Sequence, residues 1–324
     1  MKNRITSAKL IILLLILFIS FDAAAQVQIR RAMTLMGSRF EVTLVDKDTT
    51  TANTHIDQVV SEIDRIENLI SEWRPETQLS EVNRQAGIRP VKVDKELFEL
   101  TERALFFSRI SDGAFDISIA AMDKLWRFDG SMDSLPSPHA VHKSVAKVGY
   151  QHIILDQEHS TIFLTLAGMK IGFGSIGKGY AADKGRELMQ KMGVQGGIVN
   201  ASGDLSTWGK QNNKKPWAIG LFNPFKPGTM VKVIKDKDIA MATSGNYEKY
   251  VDLEGKRYSH IIDPKTGYPA TGLVSVTIYG PSAEFANGLS TSIMVLGKQA
   301  GLRLLKQYPT YKAVLITDKG QIIK

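Results

Sequence analysis

Residues 172–179 read GFGSIGKG, a density of glycine, serine and lysine suited to cradling a phosphate. Gly172, Gly174 and Gly177 spell G-x-G-x-x-G, a dinucleotide turn, while Gly172 to Lys178 spell G-x-x-x-x-G-K, the start of a P-loop. A P-loop needs Ser or Thr after the lysine to hold magnesium on the phosphates, and Gly179 stands there. A dinucleotide turn needs an acid closing a second strand about 20 residues on, and none does so. A glycine-rich strand-to-helix turn is the plainer alternative. A second group lies in residues 242–269, ATSGNYEKYVDLEGKRYSHIIDPKTGYP, where polar and glycine residues are denser than a hairpin requires. Within it His260 is an imidazole able to take a proton near neutral pH. The other histidines, at 55, 139, 142, 152 and 159, fall in segments that read as helix, loop or hairpin surface. A third group is PSAEFANGLSTSIMVLG, residues 281–297, where Asn287 and Thr291 share one helix face and Phe285, Leu289 and Ile293 take the opposite one.

These groups need a folded frame, and 324 residues with 43% apolar content are enough for one large core or two smaller ones. Lys2, Arg4 and Lys9 precede the apolar run LIILLLILFISF, and Ala23-Ala24-Ala25 offers a cleavage site. Residues 1–25 therefore read as a secretory signal peptide, with an uncleaved anchor as the alternative, although the run is short for a span. The chain has no cysteine, which excludes a lipoprotein anchor, disulfides and thiolate metal sites. Loss of the leader removes three basic residues and one acid, so the formal charge of +8 becomes +6. No dense Lys/Arg cluster appears, and nucleic acid is not an expected partner.

MTLMGSRFEVTLV (33–45) alternates like a strand, and IDQVVSEIDRIENLI (56–70) repeats apolar residues at helical spacing. KELFELTERALFFSRIS (95–111) reads as a second amphipathic helix ended by Asp112-Gly113. Residues 129–142 read as a loop and a candidate seam between two subdomains. HIILD and TIFLTL form a hairpin pattern, AADKGRELMQKMG a helix, and GGIVNAS, WAIGLFNP and VSVTIYGP strands, while ATSG (242–245) reads as a turn before a hairpin through 253–256. This irregular mixture predicts an α+β fold in residues 26–324.

The stretch ATSG followed by SHIIDPKTG strongly resembles the signature of the FAD:protein FMN transferase, or ApbE-like, family. Met36-Gly37-Ser38 is similar to that family's M-G-T, SEWRPETQLSEVN (71–83) to its S-x-[YW] segment, and GAFDIS (113–118) to its G-A-F-D-P-T. GFGSIGKGYAAD resembles D-L-G-G-I-A-K-G-Y-A-x-D, and VNASGD (199–204) resembles V-N-x-G-G-D/N. The likeness spans nearly all of the mature chain and implies a single T-fold-related domain.

It implies that FMN passes from FAD to a Thr or Ser of a partner protein with release of AMP. His260 would be the general base, and magnesium the electrophile. The family's metal ligands map onto Asn287 and Thr291, where Asn replaces the usual Asp, and onto the main-chain carbonyl of Gly177; Glu284 on the same face is a candidate for restoring the missing charge. Gly172 replaces a family Asp and Ser175 a family Gly. Lys178 is a phosphate contact, and Asp183 either a nucleotide contact or a favourable first-turn acid. Met36 and Trp73 are candidates for packing on the flavin, Trp73 also as a lid or a core residue. Ser244 and Gly245 would bring donors to the dinucleotide, Asn200 and Asp204 would organise the site, and Arg257 would offset phosphate charge or occupy an exposed hairpin. Targets in this family carry an Asp-x-x-[Ser/Thr]-Gly-Ala-[Thr/Ser]-like motif, which this chain lacks, and a membrane-associated flavoprotein outside the cytoplasm is the expected partner. Two other outcomes stay open: a pyrophosphatase in which water replaces the acceptor hydroxyl, and a non-catalytic FAD-binding protein.

Overall fold

Met36 and Gly37 split the alternating run 33–45 into two strands. Both have positive φ, 49° and 64°, the combination a two-residue hairpin turn requires. Strands β1 (Val27–Leu35) and β2 (Ser38–Asp46) therefore pair antiparallel up to Leu35 opposite Ser38, where one long strand was expected. The computed structural model describes residues 26–247, 249–253 and 255–324, so the signal-peptide segment lies outside the described residues. Among the described residues no helix is long and apolar enough to cross a membrane.

The remaining strands of the main sheet are β6 (Gly196–Ala201), β7 (Asp204–Gly209), β10 (Ala240–Gly245), β13 (Leu273–Gly280), β14 (Lys312–Thr317) and β15 (Ile322–Ile323). They complete an eight-stranded antiparallel sheet ordered β1-β2-β6-β7-β10-β13-β14-β15. ATSG is thus the end of β10, not a turn. Side chains alternate across a strand, and this alternation divides the interior. Ala240, Ala242, Val276, Ile278, Ala313 and Leu315 face the large core under the helices. Met241, Tyr279 and Val314 face the other way, where they meet Leu221 and Ile234 of the hairpin β8 (Trp217–Phe222) and β9 (Met230–Asp236).

Three helices cover the first face: α1 (Thr49–Ile70), α5 (Gly177–Lys191) and α6 (Ala283–Leu305). Asp48 caps α1 by accepting the Thr51 N–H at 2.8 Å, and Ile56, Val59, Ile63 and Ile66 are buried at helical spacing. Helices α5 and α6 cross so closely that a Cβ on Gly179 would lie 2.4 Å from the Ala283 carbonyl oxygen. That crossing, rather than phosphate chemistry, accounts for glycine after Lys178. Helix α3 (Lys95–Ile110) packs on α6, where Phe107 leaves room only for glycine at 288. Its end at Asp112-Gly113 has positive φ at both residues, as the sequence predicts.

Smaller elements lie around this frame. Helix α2 (Gln78–Arg84) is capped by Thr77, and β3 (Val91–Lys92), β5 (Thr161–Leu164) and β4 (Ile153–Asp156) form a three-stranded sheet. The supposed loop 129–142 ends in helix α4 (Pro138–Val145), started by the Ser137 cap and proline in the first turn. It marks no seam, because Trp126 and Met132 pack with Val251 and Leu253 of the hairpin β11 (Tyr250–Leu253) and β12 (Lys256–Ser259). The Trp126 ring stacks on Tyr258 at 5.4 Å, and its indole N–H donates to the Gly267 carbonyl at 2.9 Å. The molecule is one mixed α+β domain, as expected.

Candidate active site

The strand positions that turn away from the helices line a cavity of about 680 Å³, within the roughly 300–1,000 Å³ of cofactor-sized pockets. Met241 and Thr243 of β10, Ser275 and Thr277 of β13, and Val314 and Ile316 of β14 form its floor. Ile219, Leu221 and Phe222 of β8 and Val231 of β9 form an apolar wall. At the end of β10 the cavity turns toward the helices, where the 172–178 loop, the β6–β7 turn, α6 and His260 close it. One end is therefore flat and apolar and the other polar.

The polar end begins at α5. This helix starts at Gly177 with no side-chain cap, and Gly174, Ser175 and Lys178 line the cavity there. A helix N-terminus beside a lysine attracts phosphate. Asn200 accepts the Gly203 N–H at 2.8 Å and so holds the Ser202-Gly203 turn, both of whose φ angles are positive, next to the cavity. Ser244 lies within 2.9 Å of the Ser290 hydroxyl and 3.4 Å of the Thr291 hydroxyl, tying β10 to α6, and Gly245 lines the cavity beside it.

His260 follows β12 at the cavity wall. Its backbone N–H donates to the Lys249 carbonyl at 3.1 Å, and ring Nδ1 lies 3.2 Å from the same oxygen. A carbonyl only accepts, so the neutral ring carries its proton on Nδ1 and its lone pair on Nε2. That is the tautomer a general base needs.

Asn287 lies on α6 with 6% of its surface exposed. One atom of its side-chain amide lies 3.1 Å from each of two acceptors, Asp204 Oδ2 and the Ser175 carbonyl oxygen, which assigns that atom as the donating nitrogen. Asn287 and Thr291 both line the cavity, so the expected shared face exists, but it is buried against the pocket rather than solvated. Gly177 is different. It is buried at the start of α5, donates its N–H to the Phe173 carbonyl at 2.7 Å and does not line the cavity; the main-chain oxygen facing Asn287 is that of Ser175. Glu284 does not line it either, because its carboxylate pairs with Arg103 Nε at 2.5 Å. Burial nevertheless pushes the Glu284 carboxyl above its ordinary range. Among the described residues no three His, Cys, Asp or Glu side chains converge on one point, so a cation here depends on carbonyl, amide and hydroxyl oxygens together with a carboxylate.

Four expected contacts lie elsewhere. Asp183 is buried and caps α6, accepting from Ser282 Oγ at 2.7 Å and from the Ala283 and Glu284 N–H groups at 3.0 Å, and from Ser206 Oγ. Its carboxylate is occupied by the helix it caps. Arg257 pairs with Asp252 at 3.1 Å and lies over the Tyr250 ring on the exposed hairpin. Met36 sits in the β1–β2 turn, where its N–H donates to Glu67 at 3.0 Å. Trp73 is 72% exposed, which excludes the core alternative, with the Lys124 ammonium 4.6 Å from its ring. Its neighbour Glu72, by contrast, lines the cavity against Gly172 and was not foreseen. Burial raises its carboxyl, with Lys170 and Lys124 opposing. Asp204 is likewise closer to the chemistry than its place in a turn motif indicated.

The model of the ApbE family matches residues 36–315. A FAD:protein FMN transferase of Klebsiella pneumoniae (strain 342) is 32% identical over 291 residues, 89% of each chain. One of Treponema pallidum (strain Nichols) is 33% identical, covering 81% of this chain and 76% of the relative. Among solved structures, the ApbE protein of Thermotoga maritima aligns with a TM-score of 0.83 at 29% identity, over 92% of this chain and 97% of that one. The apo flavinyl transferase ApbE of Pseudomonas stutzeri gives 0.81 at 27% identity, over 93% and 95%. The hairpin that leads to His260, the uncapped helix that carries Lys178 and the β10 and β13 floor all fall within the matched span, and the chain belongs to the ApbE family.

Proposed function

We propose that this protein is an exported FAD:protein FMN transferase, acting at the outer face of the inner membrane or in the periplasm. The observation that carries this reading is His260, with Nδ1 held by the Lys249 carbonyl, on the wall of the cavity that Lys178 and the start of α5 also line. The hydroxyl oxygen of a Thr or Ser in the target protein attacks the phosphorus on the FMN side of FAD. A new P–O bond forms, the pyrophosphate P–O bond breaks and AMP leaves. The hydroxyl proton passes to His260 Nε2. Lys178 and the N-terminus of α5 neutralise phosphate charge, while the apolar wall of Leu221, Phe222 and Val231 suits the flavin ring.

Magnesium assistance is part of the same reading. Asn287, Thr291 and the Ser175 carbonyl would hold the ion, and hard oxygen donors fit it. Bound there, it would supply charge neutralisation at the pyrophosphate. Trp73 lies outside the cavity lining but is exposed one residue after Glu72, and in this reading it would swing over a bound ring as a lid. The leader at 1–25 supports export, and the expected target is a membrane-associated flavoprotein with an Asp-x-x-[Ser/Thr]-Gly-Ala-[Thr/Ser]-like segment.

The test is intact-mass spectrometry of such a target domain after incubation with the mature protein, FAD and magnesium. The expected result is an added FMN phosphoester that His260→Ala abolishes. Free FMN and AMP beside an unmodified target would establish a pyrophosphatase instead, and retained intact FAD a binding protein.

A further inference from the structure

Two oxygens from different elements converge in the polar end of the cavity. Asp204 opens β7, and its Oδ1 accepts the Thr243 N–H at 3.3 Å. Its Oδ2 and the Ser175 carbonyl each lie 3.1 Å from one atom of the Asn287 amide, and because both are acceptors the hydrogen-bond network assigns that atom as the nitrogen. Asp204 is 7% and Asn287 6% exposed, so little water screens the carboxylate. A point between two desolvated acceptors favours positive charge, and here the partial charge of an N–H₂ group answers it.

An Asn amide has oxygen and nitrogen in nearly equivalent positions. A half turn of the Asn287 amide replaces the N–H₂ with Oδ1. Oδ1 then lies 3.1 Å from both other oxygens, a spacing that lets one small cation sit among the three, and the Thr291 hydroxyl lies one helical turn along the same face. Among the described residues the carboxylates lining the cavity are Asp204 and Glu72, and Glu72 lies against Gly172 rather than at this point.

We infer that Asp204 supplies the negative charge of the cation site in this chain, and that Asn287 changes from hydrogen-bond donor to oxygen ligand when the cation binds. This rests on the magnesium-assisted transferase reading above.

The experiment measures Mn²⁺ binding by the mature protein, with and without FAD, from the electron paramagnetic resonance signal of free Mn²⁺. Transfer is assayed in parallel. Asp204→Asn, which keeps an acceptor for Thr243, is expected to weaken Mn²⁺ about tenfold or more, and Asp204→Glu to weaken it less. Asn287→Asp is expected to tighten it by a similar factor. The double variant Asp204→Asn/Asn287→Asp restores one charge from the other side and should return to near the parent affinity, a rescue that a purely structural role for Asp204 would not give. Parent-like Mn²⁺ binding by Asp204→Asn, or a double variant as weak as Asp204→Asn alone, overturns the inference. Transfer without Mn²⁺ binding in any protein overturns it together with magnesium assistance but leaves the transferase. Mn²⁺ bound as expected without transfer removes the transferase reading alone.

Discussion

At the scale of single residues, His260 and Glu72 make different demands on the same cavity. His260 is exposed, so His260→Ala should leave the melting temperature almost unchanged. It should lower the rate of FMN transfer about a hundred- to ten-thousandfold, read by single-turnover mass spectrometry. Glu72 carries a cost instead. Its carboxyl is harder to ionise in the fold than in the unfolded chain, where it titrates near 4.5. The fold therefore loses stability as pH rises from 4.5 through the folded value, and the loss is absent at lower pH. Glu72→Gln should be more stable than the parent at neutral pH, with the difference vanishing in acid, as denaturant titrations at several pH values would report. His260 could be read from its motif. Glu72 could not, because its importance follows from Gly172, a hundred positions of chain and several elements away, whose missing side chain leaves the room the carboxylate fills: a Cβ there would lie 2.0 Å from Oε2.

At the scale of elements, the crossing of α5 and α6 sets the distance between the phosphate end and the Asn287 face. Asp183 holds that crossing by accepting from Ser282 Oγ and from two N–H groups at the start of α6. Asp183→Ala should cost about 2–3 kcal/mol in denaturant unfolding. FAD affinity of the folded fraction should be unaffected, and a loss of affinity without loss of stability would return Asp183 to the nucleotide. Gly179→Ala should cost a further 1–3 kcal/mol by forcing the helices apart, roughly the scale of overpacking. Apolar periodicity made α1, α3 and the 153–164 hairpin legible, because each shows one clear face. The Met36-Gly37 turn was not, since methionine is an unusual first residue for positive φ and the alternation runs straight through it. The strand ending at Ser244-Gly245 was missed for a related reason: its small residues fit a close approach to α6, and small residues also spell a turn.

At the scale of the whole molecule, the sheet separates two interiors, one sealed under helices and one open to a dinucleotide-sized ligand. Trp73 stands outside both, so Trp73→Ala should change stability by no more than about 0.5 kcal/mol. Its effect should appear as weaker FAD retention in equilibrium fluorescence titration. The apolar wall has a further consequence. Strand β7 leaves the sheet at Gly209, β8 and β9 make one excursion, and β10 returns beside β7, with the Thr207 N–H bonded to the Ile239 carbonyl at 2.8 Å and the Gly209 N–H to Asp238 at 3.1 Å. The excursion enters and leaves through adjacent strands, so it is an exchangeable cassette. Replacing residues 210–238 would reshape the flat end of the cavity and leave the base, the phosphate helix and the strand register where they are.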